Sequence, residues 1–394
     1  MSRAHLRLWL FNLLCLLIIS CNESKKNTTA PSVERKKEFQ VRRVTRTNSS
    51  VQLLSDIQTV DRIYPSMTGP IWSHQFSLLE NQQPELLWVQ GIRSEVTEAD
   101  GETVASEQYV CHANFDSERP PKIFAKHRRD PRVFTLSQGL LNLSLPEGFG
   151  IPVLSNEPFR MATQTLNLHQ NSGIEKLRHR TKIQFLRDKE RQSEIIPLTY
   201  RSLTVQVSMT GESMVYEVLK PNPLQRKARC LPGEDANQGN EEHHDRHGRR
   251  FSGHWMVPPG RHEYRTLATP QLALTEDTIV HAAAAHLHPY AESISLHDLS
   301  SGKIIYQARA ENFAHTVGLK KIENYSDSKG FTLSANAEYE LVTTYNNTTE
   351  KKVDAMAVLY LYIRDKKYVR PTEKEIRAQT KRQASSRPTT QPSP

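Results

Sequence analysis

Short runs of alternating apolar and polar residues recur along most of the chain. Examples are "SLTVQVSM", "SISLHDL", "EYELVTTYNN" and "MAVLYLYI", which are separated by segments containing Gly, Pro, Asn or Asp. Alternation with a period of two is typical of strands that bury one face, and closely spaced turns favour β-sandwiches over alternating strands and helices. At 394 residues the chain is long enough for two domains. We therefore predict an all-β fold of two tandem, jelly-roll-like antiparallel β-sandwich domains.

One segment in the first half of the chain is a candidate helix. It reads "GIEKLRHRTKIQFLRDKERQ", residues 173–192, and carries many charged residues around a few apolar ones. A mixture of this kind is compatible with the 3.6-residue period of an amphipathic helix. We expect helix here and strands almost everywhere else.

The N-terminus has the form of an export signal. "MSRAHLRLWLFNLLCLLIISC" places Arg3 and Arg7 before an apolar run, residues 8–19, that is short for a membrane span. The ending "IISC" resembles the bacterial lipoprotein box, and this implies that Cys21 is lipidated and anchors the protein to a membrane. Asn22 follows, and in enterobacteria a residue other than Asp at this position usually means sorting to the outer membrane. The alternative is an ordinary cleaved signal peptide with a chance cysteine; both interpretations predict export.

Composition divides the rest of the chain. The segment after Cys21 is polar, and the C-terminal end is rich in Ser, Thr, Pro and Gln, as is typical of disordered chain. We predict a signal peptide at residues 1–20 and a flexible tether at 21–50. An N-terminal β-sandwich follows at 51–205, then a C-terminal β-sandwich at 206–368 with a loop insertion at 231–250, and a disordered tail at 369–394.

The basic charge does not indicate nucleic-acid binding. The formal net charge is +9, but the Lys and Arg residues are scattered and no aromatic-interleaved binding motif accompanies them. We expect solvated surfaces and tails, and no nucleic-acid partner.

Two cysteines remain beside the lipidation site once the signal peptide is removed. They are Cys111 and Cys230, and an exported protein meets oxidising conditions in which cysteines pair. We expect them to form a disulfide, unless Cys111 serves instead as a thiolate metal ligand.

A pair of histidines in a strand-like segment is the strongest sign of chemistry. His286 and His288, in "HAAAAHLHPY", are two residues apart and therefore project from the same face of an extended chain. They are either an exposed polar stripe or part of a metal site. Met356, in the apolar run "VDAMAVLYLYI", is a candidate third ligand. Two imidazoles and a thioether suit copper, since soft sulfur favours Cu(I), whereas zinc more often recruits a third His, a Cys or a carboxylate.

These residues occur in an ordered set of motifs. "VPPG" at 257–260 precedes the His-x-His strand, and Met356 follows Asp354 in a later strand. The region 254–365 resembles the C-terminal half of the copper type II, ascorbate-dependent monooxygenases, the family of peptidylglycine α-hydroxylating monooxygenase and dopamine β-monooxygenase. The resemblance implies that His286, His288 and Met356 form the catalytic copper site. It also implies that a C–H bond is hydroxylated with O2 and ascorbate or a similar reductant.

The same family holds a second, electron-transfer copper with three histidines in its N-terminal half. Here the resemblance is weaker: "YVCHANFD" supplies His112 with Cys111 in the neighbouring position, and "TLNLHQNSG" supplies His169. One histidine is missing, and Cys111, His74 or His254 are the alternatives for its place. The resemblance therefore implies one or two copper ions per chain.

Two functions follow from these observations. The first is an exported copper-dependent monooxygenase acting on a small-molecule or peptide substrate. The second is a non-catalytic copper- or ligand-binding surface lipoprotein on the same scaffold, which the incomplete histidine set in the first half favours.

Overall fold

The segments with a period of two form strands, and other parts of the protein cover both faces of many of these strands. A computed structural model describes residues 44–80, 83–125, 130–169, 173–209, 220–221, 242–245 and 247–384. Within the strand Val353–Arg364, even the small residues Ala355 and Ala357 are fully buried. Burial on both faces reflects the packing of one layer of strands against others on either side.

The first half of the described chain contains thirteen strands. They are β1 Val44–Arg46, β2 Ser50–Leu54, β3 Gln58–Val60, β4 Ile71–Phe76, β5 Leu86–Glu98, β6 Val110–Ser117, β7 Arg132–Ser137, β8 Asn142–Ser144, β9 Phe149–Leu154, β10 Phe159–Thr165, β11 Glu175–Arg187, β12 Ile196–Thr204 and β13 Val207–Ser208.

The second half continues with twelve strands. They are β14 Lys220–Pro221, β15 Glu242–His244, β16 Arg250–Ser252, β17 His254–Val257, β18 Gly260–Leu267, β19 Thr278–Leu287, β20 Ala291–Asp298, β21 Lys303–Asn312, β22 Leu319–Ile322, β23 Tyr325–Leu333, β24 Tyr339–Asn347 and β25 Val353–Arg364. The α-helices are α1 Lys122–Ala125, α2 Thr269–Leu272 and α3 Glu373–Ala384, and 3-10 turns occur at Glu107–Tyr109 and Asp188–Glu190.

The first sandwich packs two sheets around an aromatic core. One sheet has the order β1-β2-β11-β5-β9, and the other has the order β4-β10-β6-β7. Phe115 and Phe159, with ring centroids 4.8 Å apart, fill the space between them together with Leu87 and Ile183 from the first sheet. This packing leaves the alternate residues of β6, among them His112, on the other face of their sheet.

The second sandwich is built in the same way. β12, β25, β19 and β23 form one layer, with β17 paired to β25, and β18-β24-β20-β21-β22 form the other. Trp255 on β17 contacts Tyr264 and Tyr345 of the opposing layer, with ring centroids 5.0 and 5.9 Å apart. The predicted all-β fold of antiparallel sandwiches is therefore confirmed.

The two sandwiches share one continuous sheet. β9 and β12 run parallel, pairing Phe149 with Ile196 and Gly150 with Pro197, and this joins the two halves into a 12-stranded sheet. β12 then pairs with β25 over its length, from Leu198 opposite Arg364 to Thr204 opposite Val358. A single buried cluster contains side chains from both sandwiches, so their cores are contiguous.

The predicted helix at residues 173–192 is wrong. Residues Glu175–Arg187 form the long strand β11, in which Leu177, His179, Thr181, Ile183 and Phe185 are buried. These residues alternate with a strict period of two. The alternation of apolar and polar residues is not visible in the sequence of β11, because two of its buried positions are occupied by the polar residues His179 and Thr181.

The ends of the chain also differ from the prediction. The tether expected at 21–50 already contains strand β1, which pairs with β2. The tail expected at 369–394 begins with helix α3, whose Ile376 is buried against Trp88 and Phe124 of the first sandwich. A few apolar residues in otherwise polar segments are enough to order them once the folded body supplies a surface. Each helix in the described ranges is too short or too polar to cross a membrane.

Candidate metal centre

Three neighbouring strands of the second sandwich carry the predicted ligands on one face. His254 on β17 lies directly opposite Met356 on β25, and His286 on β19 lies opposite Val358 on β25. Directly opposed residues share a face, and so do residues two apart on one strand. Asp354, Met356, His254 and His286 therefore project from the same side of this sheet.

That side of the sheet faces the first sandwich. Tyr362, further along the same face of β25, stacks on Phe134 of β7 with centroids 5.1 Å apart, and its hydroxyl donates to the carbonyl of Val133. The residues of β19 beside it are alanines, and Ala282 and Ala284 are fully buried. Small side chains at these positions allow the first sandwich to approach closely, so the histidines lie at the junction of the two sandwiches.

His288 follows the end of β19 in a tight turn. The turn contains Tyr290 in a left-handed conformation, with φ of 72°. The Tyr290 backbone N–H donates to Oδ1 of Asn312 over 2.7 Å, and the Ala291 N–H donates to the His288 carbonyl over 3.3 Å. A left-handed tyrosine is strained, and these hydrogen bonds hold it in place. The turn thus fixes where His288 leaves the strand.

Tyr345 links the strands that carry His288 and Met356. Its fully buried hydroxyl accepts the backbone N–H of His288 over 3.2 Å and donates to the backbone carbonyl of Met356 over 2.6 Å. Burial raises the pKa of the Tyr345 phenol well above its usual value, so the hydroxyl stays protonated. A single side chain therefore ties together the backbones of two candidate ligands.

Four imidazole rings form a row across the junction. The ring centroids of His254 and His288 are 5.3 Å apart, those of His288 and His286 are 5.3 Å apart, and those of His286 and His112 are 6.4 Å apart. His112 comes from β6 of the first sandwich. The row therefore includes histidines from both halves of the chain.

Asp354 lies between two of these rings. Its Oδ2 is 2.8 Å from Nδ1 of His288, and its Oδ1 is 3.5 Å from Nδ1 of His254. Burial raises the pKa of Asp354, but attraction to His288 and hydrogen bonding from His254 and His288 outweigh it and hold the pKa well below the ordinary value. Asp354 is therefore a carboxylate. Its side chain is 36% exposed, which makes it the solvent-facing edge of the cluster.

The two innermost histidines are neutral at physiological pH. Burial lowers the pKa of His112 to about 3, with repulsion from Arg132 and from neighbouring imidazoles acting in the same direction. Burial likewise lowers the pKa of His286 well below its usual value, and His288 and His112 reinforce the effect. A neutral imidazole keeps a lone pair on one ring nitrogen, which is the form that binds metals.

These side chains fit a transition-metal ion. Neither ring nitrogen of His286 has a hydrogen-bond partner among the described residues, and its Nδ1 is completely buried. Such unsatisfied polar atoms are uncommon in protein interiors, and a bound ion or water would satisfy this one. Imidazoles with the Met356 thioether suit copper, while the ligand atoms of His254, His288 and Asp354, all within 4.8 Å of one another, form a group that also suits zinc or iron.

The predicted ligands fall into two groups. The structure brings His286 and Met356 to one face of one sheet, and the rings of His288 and His112 lie on either side of the His286 ring. His169 follows β10, five residues beyond Gln164, the residue opposite His112. Its backbone N–H donates to Oδ1 of Asn167, and within the described part of the chain its Nε2 is buried without a hydrogen-bond partner.

The other residues considered for the second copper site have different surroundings. His74 on β4 stacks on Trp72, with centroids 5.7 Å apart. Cys111 is buried on β6. Its predicted partner Cys230 and the predicted lipidation site Cys21 both lie outside the described residues. The disulfide and the lipid anchor stay predictions.

Sequence reasoning gave too little weight to Asp354 and His254. Asp354 has a local signal, since it is two residues from Met356 in a strand and must share its face. His254 was considered only as a substitute ligand for the other copper site. Its place opposite Met356 depends on the pairing of β17 with β25, which is a tertiary property without a local signal.

Comparison with known proteins adds no family assignment. No protein-family model matches the chain, and no curated protein is similar to it. Among solved structures, one described as "Crystal Structure of the STIV MCP" is 9% identical with a TM-score of 0.26, covering 79% of this chain and 96% of that chain. Another, "Structure of infectious bursal disease virus Gx strain", is 8% identical with a TM-score of 0.15, covering 84% and 74%. Similarity this weak supports no conclusion about function.

Proposed function

We propose that this protein is an exported, copper-dependent monooxygenase-like enzyme that hydroxylates a C–H bond with O2 and a small reductant such as ascorbate. The observation that carries the proposal is that His286 and Met356 project from one face of the β17–β25–β19 sheet, with the ring centroid of His288 5.3 Å from that of His286. Met356 is far from the histidine pair in sequence, and two imidazoles with a thioether form a donor set suited to copper.

Each residue has a distinct part in this proposal. His286 and His288 supply neutral imidazole nitrogens, and Met356 supplies a soft sulfur. The Asp354 carboxylate, with Oδ2 2.8 Å from Nδ1 of His288, favours the proton on Nδ1 and leaves Nε2 of that ring for the metal. Tyr345 holds the backbones of His288 and Met356 in register. When bound, copper supplies the one-electron chemistry that the use of O2 requires.

Substrate and reductant approach from the Asp354 side. The side chain of Asp354 is 36% exposed, and Met256, directly opposite it on β17, is 52% exposed. The imidazoles of His112, His286 and His288 are 4–7% exposed. The buried side of the site excludes bulk water, and the exposed side can admit a small molecule or the end of a peptide.

A second function, the non-catalytic holding of copper, is favoured by a different observation. His112, His286 and His288 are deeply buried, and the described ring contacts join His112 to His286 and not to His169, so they do not support a separate electron-transfer site. A protein that stores or carries copper needs affinity but no access for an organic substrate.

Metal analysis and a matched pair of variants test the proposal. The full-length protein in detergent is loaded with copper, zinc or iron, and bound metal and ascorbate-dependent O2 consumption are measured. Met356→Leu keeps the side-chain volume but removes the thioether from the site, whereas Met209→Leu makes the same change at an exposed position after β13. We expect Met356→Leu to fold normally, to bind Cu(I) at least tenfold more weakly and to lose O2 consumption, with Met209→Leu unchanged.

The outcomes separate the functions. Tight copper binding without turnover of any tested substrate supports the copper-holding function. Preferential binding of zinc or iron, with Met356→Leu equal to wild type, would reject copper and point to the His254–His288–Asp354 group instead.

We also propose that the protein is held on the outer membrane by a lipid at Cys21. Labelling cells with radioactive palmitate should mark the wild-type protein and not Cys21→Ser. A labelled Cys21→Ser protein, or an unlabelled wild type, contradicts the anchor without affecting the copper proposal.

A further inference from the structure

A cavity lies at the end of β25 that is remote from the candidate metal centre. Its volume is about 100 Å³, and it is lined by residues of β12, β19 and the end of β25 together with the segment 273–276 that follows α2. Arg364, which lines the cavity, is ten residues from Asp354 along β25, and at about 3.3 Å per residue the two positions are roughly 33 Å apart. The cavity is therefore separate from the candidate copper site.

Basic side chains outnumber acidic ones around this cavity. Four cations and two anions line it, a formal charge of four minus two, or +2: they are Arg201, Arg364, Lys366, Lys367, Glu276 and Asp365. Oε1 of Glu276 lies 4.0 Å from Nζ of Lys367, and the buried Asp365 accepts the Lys367 backbone N–H over 3.1 Å. Within the described ranges, neither Arg364 nor Lys366 has an ion pair. A surplus of positive charge in a cleft attracts an anion.

Neutral acceptors hold the two lysines in place. Nζ of Lys366 donates to the backbone carbonyl of Asp277 over 2.5 Å, and Nζ of Lys367 donates to the hydroxyl of Thr275 over 2.9 Å. A carbonyl or a hydroxyl orients an ammonium group without cancelling its charge. Each ammonium has three N–H donors, so a single hydrogen bond of this kind leaves others for a ligand.

A hydroxyl and a guanidinium add further donors. Oγ1 of Thr275 accepts its hydrogen bond from Lys367, so its own hydroxyl hydrogen remains available for donation to a ligand. Thr278, buried on β19, donates to the backbone carbonyl of Arg364 over 3.3 Å and so ties the end of β25 to the neighbouring strand. The Arg364 guanidinium presents N–H groups in a planar fork that matches two oxygens of an oxyanion. The cavity therefore combines N–H and O–H donors from the strand end and from the segment after α2.

The segment after α2 is held in position before any ligand binds. The side chain of Gln271 in α2 accepts the Thr204 backbone N–H over 2.7 Å and donates to the Thr204 carbonyl over 3.0 Å, which attaches the helix to β12. Ala273 then adopts a left-handed conformation with φ of 46°, and its N–H donates to the Thr269 carbonyl over 3.0 Å. Residues other than glycine rarely adopt this conformation, and such strain is concentrated at functional sites. The Thr275 hydroxyl is therefore pre-organised at the cavity.

We infer that this cavity binds a phosphate group, either as the free ion or as the end of a phosphate ester. The volume of about 100 Å³ suits a small oxyanion and is below the roughly 300–1,000 Å³ of pockets that enclose drug-sized ligands. Phosphate oxygens accept hydrogen bonds from guanidinium, ammonium and hydroxyl groups, which Arg364, Lys366 and Thr275 supply here. The inference goes beyond the proposed copper chemistry and does not depend on it.

Titration calorimetry of the full-length protein in detergent with inorganic phosphate, at constant ionic strength, tests the inference. Arg364→Gln and Lys366→Gln each remove one cation from the cavity, and Arg93→Gln is the matched control on β5 of the first sandwich. All three side chains are exposed, so all three variants should fold. We expect Arg364→Gln and Lys366→Gln to bind phosphate at least tenfold more weakly than the wild type, and Arg93→Gln to bind it equally well.

Glycerol 3-phosphate is titrated in parallel to identify the form of the ligand. Tighter binding of the ester than of inorganic phosphate indicates a phosphate ester, and the reverse order indicates the free ion; both results support the inference. A wild type that binds neither compound, or an Arg364→Gln variant with wild-type affinity for both, overturns it. Copper binding should be the same in Arg364→Gln as in the wild type, so the failure of either proposal is visible without the other.

Discussion

Nδ1 of His288, in the turn after β19, lies 2.8 Å from the carboxylate Oδ2 of Asp354 on the neighbouring strand β25. The carboxylate is the only charged member of a cluster otherwise made of imidazoles and a thioether within the described structure. It therefore decides which ring nitrogen of His288 carries the proton.

Asp354→Asn should keep the shape of the site and remove this control. We expect normal folding and a 10–100-fold loss of copper affinity, the range observed when residues that orient metal ligands are replaced. Chelator competition measures the affinity. Asp327→Asn, which changes an exposed carboxylate on β23, serves as the control and should bind copper like the wild type. Equal affinities in both variants would show that Asp354 does not orient His288.

Tyr345→Phe should destabilise the protein and weaken the site together. The change leaves the His288 N–H and the Met356 carbonyl without their buried partner, at a cost of about 1–3 kcal/mol in the free energy of unfolding. Tyr306→Phe is the matched control. The Tyr306 hydroxyl is buried and has no hydrogen-bond partner in the described ranges, so its loss should be neutral or stabilising. Urea unfolding of the metal-free proteins compares the two, and a neutral Tyr345→Phe would contradict the linking role.

His179 should make the metal-free protein sensitive to acid. Burial lowers its pKa to about 4 in the folded state, against about 6.5 when unfolded. Above pH 6.5 the residue is neutral in both states and contributes no pH dependence. As the pH falls from 6.5 to 4, the unfolded chain takes up a proton that the folded protein does not, and this lowers stability by up to about 3 kcal/mol.

The His179→Gln variant lacks this titration. Between pH 7 and pH 4 it should lose about 3 kcal/mol less unfolding free energy than the wild type, as measured by urea unfolding at each pH. If the unfolding free energies of the two proteins change with pH in the same way, protonation of His179 does not destabilise the folded protein.

The C-terminal helix should contribute measurably to stability. Ile376 of α3 is 8% exposed and packs with Leu86, Trp88, Phe124 and Leu154 on the outer face of the first sandwich. We expect Ile376→Ala to lower the unfolding free energy by about 2–3 kcal/mol and to shift tryptophan fluorescence to longer wavelength as Trp88 becomes hydrated. Ile304→Ala, at a position 55% exposed, should change stability by less than about 0.5 kcal/mol. Similar small effects from both variants would mean that the helix is not docked.

Much of the fold and part of the site could be predicted from local patterns. Alternation identified the strands around Met356 and His286, and the chemistry of their side chains indicated copper. Local patterns gave the wrong prediction at β11, a strand predicted as a helix, because His179 and Thr181 occupy interior positions. They also gave the wrong prediction at α3, a helix predicted as disordered, where one buried isoleucine orders a polar segment. In both places the deciding contacts are made with residues distant in sequence.

The sequence by itself determined that His286 and His288 share one face of a strand, and that Asp354 and Met356 share one face of another, because successive side chains on an extended chain alternate sides. Only the tertiary structure decided that these faces are the same face, that His254 stands opposite Met356, and that His112 meets His286 across the junction. The physical reason is that strand register and the packing of one sandwich on another depend on the summed burial and hydrogen bonding of many residues. No short stretch of sequence contains that information.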